Sequence, residues 1–397
     1  MSVGQSSAQS ASSKQSKPTV GSVRRSFSPW ADPAIKPLIR YEGVMKSFGD
    51  FVAIKTLDLN IYEKEFFSLL GPSGCGKTTL MRMLAGFTEP TEGKVLLAGQ
   101  DITHMPPHKR PVNMMFQSYA LFPHMDVAGN IAFGLKMDGL PKGEIDARVD
   151  EMLKMVKLEK FAKRKPHQLS GGQRQRVALA RSIAKKPKVL LLDEPLGALD
   201  KKLREETQFE LMDLQQALGM TFIVVTHDQE EAMIMSDRIA VMDNGEIVQI
   251  ASPAEIYEQP GTRYVADFIG DITLIEGKVV AHENGSVRIN SPATGVVHTV
   301  STDQRVTNGQ TVWIAIRPEK IMIEFADMAG EHAEGINGTI GDIGYLGKWT
   351  TYKVMTKAGL KVSVSQANDR RFVERPMGWD DQVVLTFLPD AAVLLTK

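Results

Sequence analysis

The chain has 397 residues, 43% of them hydrophobic and 24% charged, with a formal net charge of zero. Such a length exceeds what one core ordinarily serves, so two folded domains are expected. Balanced charge gives no support for a dedicated nucleic-acid binder, because phosphate contacts favour a basic excess. The single cysteine, Cys75, excludes an intrachain disulfide. With no signal peptide at the start, a reducing cytosol is the expected compartment. No apolar run reaches the about 18 residues that a spanning helix needs, so a membrane role must run through a partner.

Residues 1–37 are rich in Ser, Gln and Lys and lack apolar periodicity, which predicts a mildly basic, disordered N-terminal tail. From 38 to 270, short apolar runs alternate with helical stretches, the pattern of an α/β domain with a largely parallel sheet. The runs beginning at Phe66, Val189 and Phe222 are nearly all apolar and end at polar or Gly-rich corners. Strands buried on both faces have that texture, and ligands gather at their carboxyl ends. Residues 271–397 are β-rich with Gly, Asn and Asp turns and no long helical pattern, so a small all-β barrel or sandwich domain is expected there.

The strongest local signal is Gly71-Pro72-Ser73-Gly74-Cys75-Gly76-Lys77-Thr78, followed by Thr79: a P-loop between an apolar strand and a helical stretch. Its glycines let backbone N–H groups close around phosphate oxygens at a helix N-terminus. Lys77 supplies a point charge for the β- and γ-phosphates of ATP, and the Thr78 hydroxyl is a ligand for Mg²⁺. Cys75, at the start of that helix, is expected to favour the thiolate and to react with maleimides unless ATP protects it.

The run from Lys188 ends in Asp193-Glu194 at a buried strand's carboxyl end. Asp193 can hold Mg²⁺ through its water shell, and Glu194 is placed to polarise an attacking water as general base. Leu169-Ser170-Gly171-Gly172-Gln173 precedes a helical pattern; Ser170 is a good N-cap, and the two glycines leave a second anion-binding helix terminus.

A P-loop, then Ser-Gly-Gly-Gln, then a strand ending in Asp-Glu, then a strand ending in His227, resembles the ABC-transporter ATPases over Tyr41 to Gly270. The resemblance implies an α/β P-loop NTPase with a helical subdomain, in which two copies of the chain sandwich ATP head to tail. It would set Ser170, Gly171, Gly172 and Gln173 against the γ-phosphate held by the other copy's P-loop. It further implies that Phe48 stacks on adenine and that Gln117 senses Mg²⁺ and water. Leu199-Asp200 would cross the dimer interface, and His227 would hold the γ-phosphate, the water and Glu194 in register. The stretch Tyr119 to Met125 would line a groove for a short helix of the membrane partner, with Tyr119, Leu121 and Phe122 exposed.

Arg317-Pro318-Glu319 within the β-rich C-terminal part resembles the regulatory OB-like domain appended to importer ATPases of the sugar, iron and polyamine group. The runs around Asn113–Met125 and from Phe161 are similar to the putrescine and spermidine importers. The implied partners are a second copy, two transmembrane permease subunits and, indirectly, a periplasmic or extracellular solute-binding protein. The implied location is the cytoplasmic face of the plasma membrane. Two other readings are an importer ATPase for sugar, iron or anions, and a soluble ABC ATPase acting on DNA or ribosomes. The second lacks the paired cassettes, coiled coils or zinc motifs such chains carry. Trp313, Tyr345, Trp349, Tyr352 and Trp379 sit among mixed charge, so oligonucleotide binding by the C-terminal part is not expected.

Overall fold

Five apolar strands, Arg238–Asp243, Phe66–Leu70, Thr221–Thr226, Val189–Asp193 and Val112–Met115, lie parallel in that spatial order, with Glu246–Ala251 added antiparallel at one edge. A computed structural model describes residues 27–397 apart from 198, 284, 329–334 and 373. Alternation along these strands sends side chains to two different cores. Phe66, Leu190, Leu192, Phe222 and Val224 face a helical layer, whereas Phe67, Leu69, Leu191, Ile223 and Val225 face a second sheet. That second sheet is antiparallel, ordered Phe51–Ile61, Ile39–Phe48, Glu92–Leu97 and Gln100–Asp101. Both faces of the parallel sheet are therefore covered, which is why its strands read as continuous apolar runs.

The helical layer includes Val127–Met137, Lys142–Met155 and Gly171–Ala184, which pack on one another around Ile131, Met152 and Ile183. Among the described residues no helix is long and apolar enough to cross a membrane.

Two short helices, Pro253–Glu258 and Arg263–Phe268, lead to the C-terminal β domain. There, two all-antiparallel five-stranded sheets close on one core containing Ile275, Ile314, Val354 and Leu385. The junction is tied by Arg317, whose guanidinium donates to the carbonyls of Ala266, Gly270, Asp271 and Tyr257 and lies 4.1 Å over the Tyr257 ring. A planar fork with several fixed donors suits such a carbonyl cluster.

Most of the expected N-terminal tail, residues 1–26, lies outside the described residues. Residues 27–37 depart from that expectation. Pro29–Ala31 forms a 3₁₀ turn, and the Trp30 ring lies 4.6 Å from the Arg238 guanidinium carbon. Composition marks this stretch as polar, but one Trp over a guanidinium anchors it.

Candidate functional site

The P-loop joins the end of Phe66–Leu70 to the helix Lys77–Ala85. Gly74 and Gly76 hold φ of +82° and +104°; a Cβ at Gly76 would stand 2.4 Å from Ile54 Cδ1 and 2.7 Å from the Ala53 carbonyl. Only glycine suits that turn at Gly76, which leaves the backbone there open to close approach from the cleft. Lys77 is buried, and its ammonium donates to the carbonyls of Gly71 (2.7 Å) and Pro72 (2.8 Å). Phe48, Phe51, Ala53, Gly74, Gly76, Lys77, Thr78 and Thr79 line one cleft.

Phe48 and Phe51 face each other across the tip of a hairpin and are 52% and 63% exposed. That exposure leaves two aromatic faces beside the P-loop. Phe51 was not singled out from sequence, although its place three residues after Phe48, across a Gly-Asp turn, was the available signal.

Glu194 is the geometric centre of the site. Its carboxylate accepts from Gln117 Nε2 at 2.8 Å on one oxygen and sits 3.1 Å from His227 Nδ1 on the other. A carboxylate can only accept, so a hydrogen bond here requires a hydrogen on Nδ1. The backbone of Glu194 takes φ of +45° and donates to the Val225 carbonyl at 2.9 Å. A non-glycine residue in the left-handed region costs free energy, and such residues gather at functional sites. Three residues far apart in sequence, Gln117, Glu194 and His227, are thus brought into one hydrogen-bonded group.

Asp193, one residue before, ends its strand. Burial pushes its carboxyl up, with the charge of Glu194 adding to the shift; Arg82, the Thr78 hydroxyl and Lys77 pull it back. Arg82 is a further member of the site that the sequence reading missed, one turn along the helix from Thr78.

Ser170 caps Gly171–Ala184 in a reciprocal box: its hydroxyl accepts from Gln173 N at 3.3 Å, and Gln173 Oε1 accepts from Ser170 N at 3.0 Å. Ser170 is exposed, and none of Ser170 to Gln173 lines the P-loop cleft. Gly172 packs against Leu203 of the helix Lys201–Leu218, where a Cβ would come 3.1 Å from Leu203 Cδ2.

Two expectations are corrected. Cys75 is 4% exposed, and burial pushes its thiol up, outweighing Lys77, whose Nζ is 3.8 Å away. Desolvation therefore overrides the helix dipole, and the thiol form is favoured. Tyr119 is buried in the helical core, not exposed; φ of +62° turns its ring inward. Leu121 and Phe122 are half-buried. Phe122 does line a cleft with Phe116, Phe133 and Arg181, its ring 4.5 Å from Phe133 and 5.4 Å from the Arg181 guanidinium.

Residues 54–197 match the family described as "ABC transporter", and residues 314–395 match the "TOBE domain". A putrescine transport ATP-binding protein of Escherichia coli, PotG, is 50% identical over 91% of this chain and 96% of its own length. The chain belongs to the ABC transporter ATP-binding subunits. A spermidine/putrescine import ATP-binding protein of Rubrobacter xylanophilus, PotA, is 52% identical over 84% of this chain and 87% of that protein. Among solved structures, cbiO1 of Clostridium perfringens, part of an ABC transporter complex, is 31% identical with a TM-score of 0.53, covering 56% of this chain and 90% of that one. As an ABC ATPase, the chain combines an α/β P-loop fold with an OB-like β domain whose match falls within the region expected to be all-β.

Proposed function

We propose that this ABC ATPase powers import of polyamines, putrescine or spermidine, working as an ATP-sandwiching pair on the cytoplasmic face of the membrane. The observation that carries the catalytic part is the Glu194 carboxylate held between Gln117 and His227 beside the P-loop. Polyamine is favoured because both relatives above carry that substrate in their names at about half identity over most of the chain.

Glu194 is the general base: two fixed partners orient its carboxylate so that it takes a proton from the water that attacks the γ-phosphorus. His227 orients the same carboxylate and stands with 58% of its side chain exposed, open to the γ-phosphate. Lys77 and the P-loop N–H groups of Gly71 to Thr79 bind the phosphates, and Phe48 with Phe51 offers stacking faces to the base. The Thr78 hydroxyl and the Asp193 carboxylate are hydrogen-bonded neighbours, an all-oxygen donor set that fits Mg²⁺, with Gln117 as a third oxygen. When bound, the ion would neutralise charge on the phosphate oxygens. Its dication would also keep Asp193 ionised against the burial that pushes its carboxyl up.

The Ser170 helix terminus lies outside its own chain's cleft, so it is free to meet the γ-phosphate of a second copy, with Gly171, Gly172 and Gln173 offering backbone and amide donors. Opening and closing of that pair would move two permease subunits seated at the Phe116–Phe122–Phe133 cleft, supplied with solute by an external binding protein.

The test is uptake of radiolabelled putrescine and spermidine by cells deleted for this gene and rescued with the native chain or with Glu194→Gln. Uptake restored by the native chain alone supports the proposal. Polyamine uptake unaffected by the deletion would overturn the substrate and move the search to sugars, iron and anions.

A further inference from the structure

Arg204 lies on the helix Lys201–Leu218, outside the P-loop cleft and outside the Gln117–Glu194–His227 group. Its guanidinium nevertheless joins two loops of the site. Nη1 donates to Asp228 Oδ2 at 2.9 Å, and Nη2 donates to the carbonyl of Leu199 at 3.2 Å. Nε lies 3.9 Å from Glu231 Oε1. Asp228 is the residue directly after His227, and Leu199 lies five residues after Glu194. One rigid fork therefore spans both strand exits that flank the general base.

The surroundings make the strut stiff. Asp228 Oδ1 accepts from Glu231 N at 3.1 Å and caps the helix Gln229–Met235, so the carboxylate is fixed before Arg204 reaches its other oxygen. Thr226 bridges the same turn: its hydroxyl donates to Glu231 Oε2 at 2.8 Å and accepts from Asp228 N at 2.9 Å. Asp228, at 2.9 Å from Nη1, is a closer partner of the guanidinium than Glu231, at 3.9 Å from Nε. Arg204 itself is about one-third exposed, so the pair adds little stability by charge alone, and its geometry is the more consequential property.

We infer that Arg204 is a positioning residue for hydrolysis: by clamping Asp228 to the Leu199 carbonyl it sets where His227 stands relative to Glu194. Leu199-Asp200 is also the segment read as crossing to the second copy, so the same clamp would pass closure of the pair to His227. This rests on the catalytic reading of Glu194 and His227 above.

The test uses the full-length chain, measuring ATPase rate against MgATP, affinity for trinitrophenyl-ATP and thermal midpoint. Arg204→Met is expected to lower kcat at least about tenfold while nucleotide affinity stays within about twofold, the pattern of an interaction used on the way to the transition state. Arg204→Lys regains part of the rate. Asp228→Asn keeps the helix cap, since Asn caps as well as Asp, and is expected to lower kcat similarly. The double variant Arg204→Met/Asp228→Asn is then no slower than Arg204→Met alone, because that substitution already removes the Asp228 contact together with the one to Leu199. Wild-type kcat in Asp228→Asn, or a rate loss in Arg204→Met that only follows a lowered thermal midpoint, would overturn the inference. Full activity in His227→Ala would instead overturn the catalytic reading beneath it.

Discussion

The Nδ1 atom of His227 lies 3.1 Å from one carboxylate oxygen of Glu194, while the Glu194 backbone is held at φ of +45° by a bond to the carbonyl of Val225. Val225 and His227 are two residues apart at the end of one strand, so a single element both holds the strained backbone of Glu194 and meets its side chain. The strain is thus tied to the place where the carboxylate is needed.

Glycine at this position separates stability from catalysis. Glu194→Gly relieves the left-handed backbone and should leave the protein as stable or up to about 1 kcal/mol more so. Hydrolysis should fall at least about 100-fold with loss of the base. Urea unfolding alongside a phosphate-release assay checks both halves, and a clearly destabilised variant would contradict the strain argument.

Cys75 should behave as a buried neutral thiol. At neutral pH the native protein should be labelled by maleimide far more slowly than the unfolded chain, and faster as pH rises. Because the folded thiol is raised above its unfolded value, its linked stability is present below the unfolded pKa, near 8.5, and is lost as pH rises beyond it. Fast native labelling at pH 7, followed by mass spectrometry, would show that the dipole had won over burial.

His298 is buried against Phe387, with Nε2 bonded to the Thr294 hydroxyl at 2.7 Å, and burial lowers its pKa to about 4. The neutral ring is the folded form, so stability is full above the unfolded pKa near 6.5 and falls as pH drops toward 4, by an amount on the order of 3 kcal/mol. Unfolding of the C-terminal domain monitored between pH 7 and 4 should show this loss. His298→Gln should flatten it.

Arg317 ties the domain junction through four backbone carbonyls and is 3% exposed. Arg317→Met should lower stability by about 3 kcal/mol or more, because buried acceptors are left unpaired. Lys at this position should recover little, since an ammonium cannot reproduce the planar fork. The shift in urea midpoint measures both variants.

The parallel sheet and the P-loop were legible because their signals are local: uninterrupted apolar runs, and glycines at fixed spacing before a helix. Ser170 as the N-cap of Gly171–Ala184 was legible for the same reason, but its reciprocal bond with Gln173 was not. Tyr119 was not, since its burial follows from a backbone turn that no residue type there announces. Cys75 was misread because helix position is visible in sequence, whereas desolvation depends on the packed sheet behind the loop. Arg204 and Asp228 stand 24 positions apart on different elements, so their pairing emerges only from the fold. Trp30 shows the same limit: an apolar ring in a polar stretch finds Arg238 from the other end of the domain.

The most direct measurement is the assembly state of Glu194→Gln with saturating MgATP, followed by gel filtration with light scattering and by bound-nucleotide analysis. Removing the proposed base while sparing the P-loop and the Ser170–Gln173 helix terminus should leave ATP bound and unhydrolysed in a stable dimer. A monomer that retains ATP would contradict the paired site, and a dimer that still hydrolyses at the native rate would contradict Glu194 as the base.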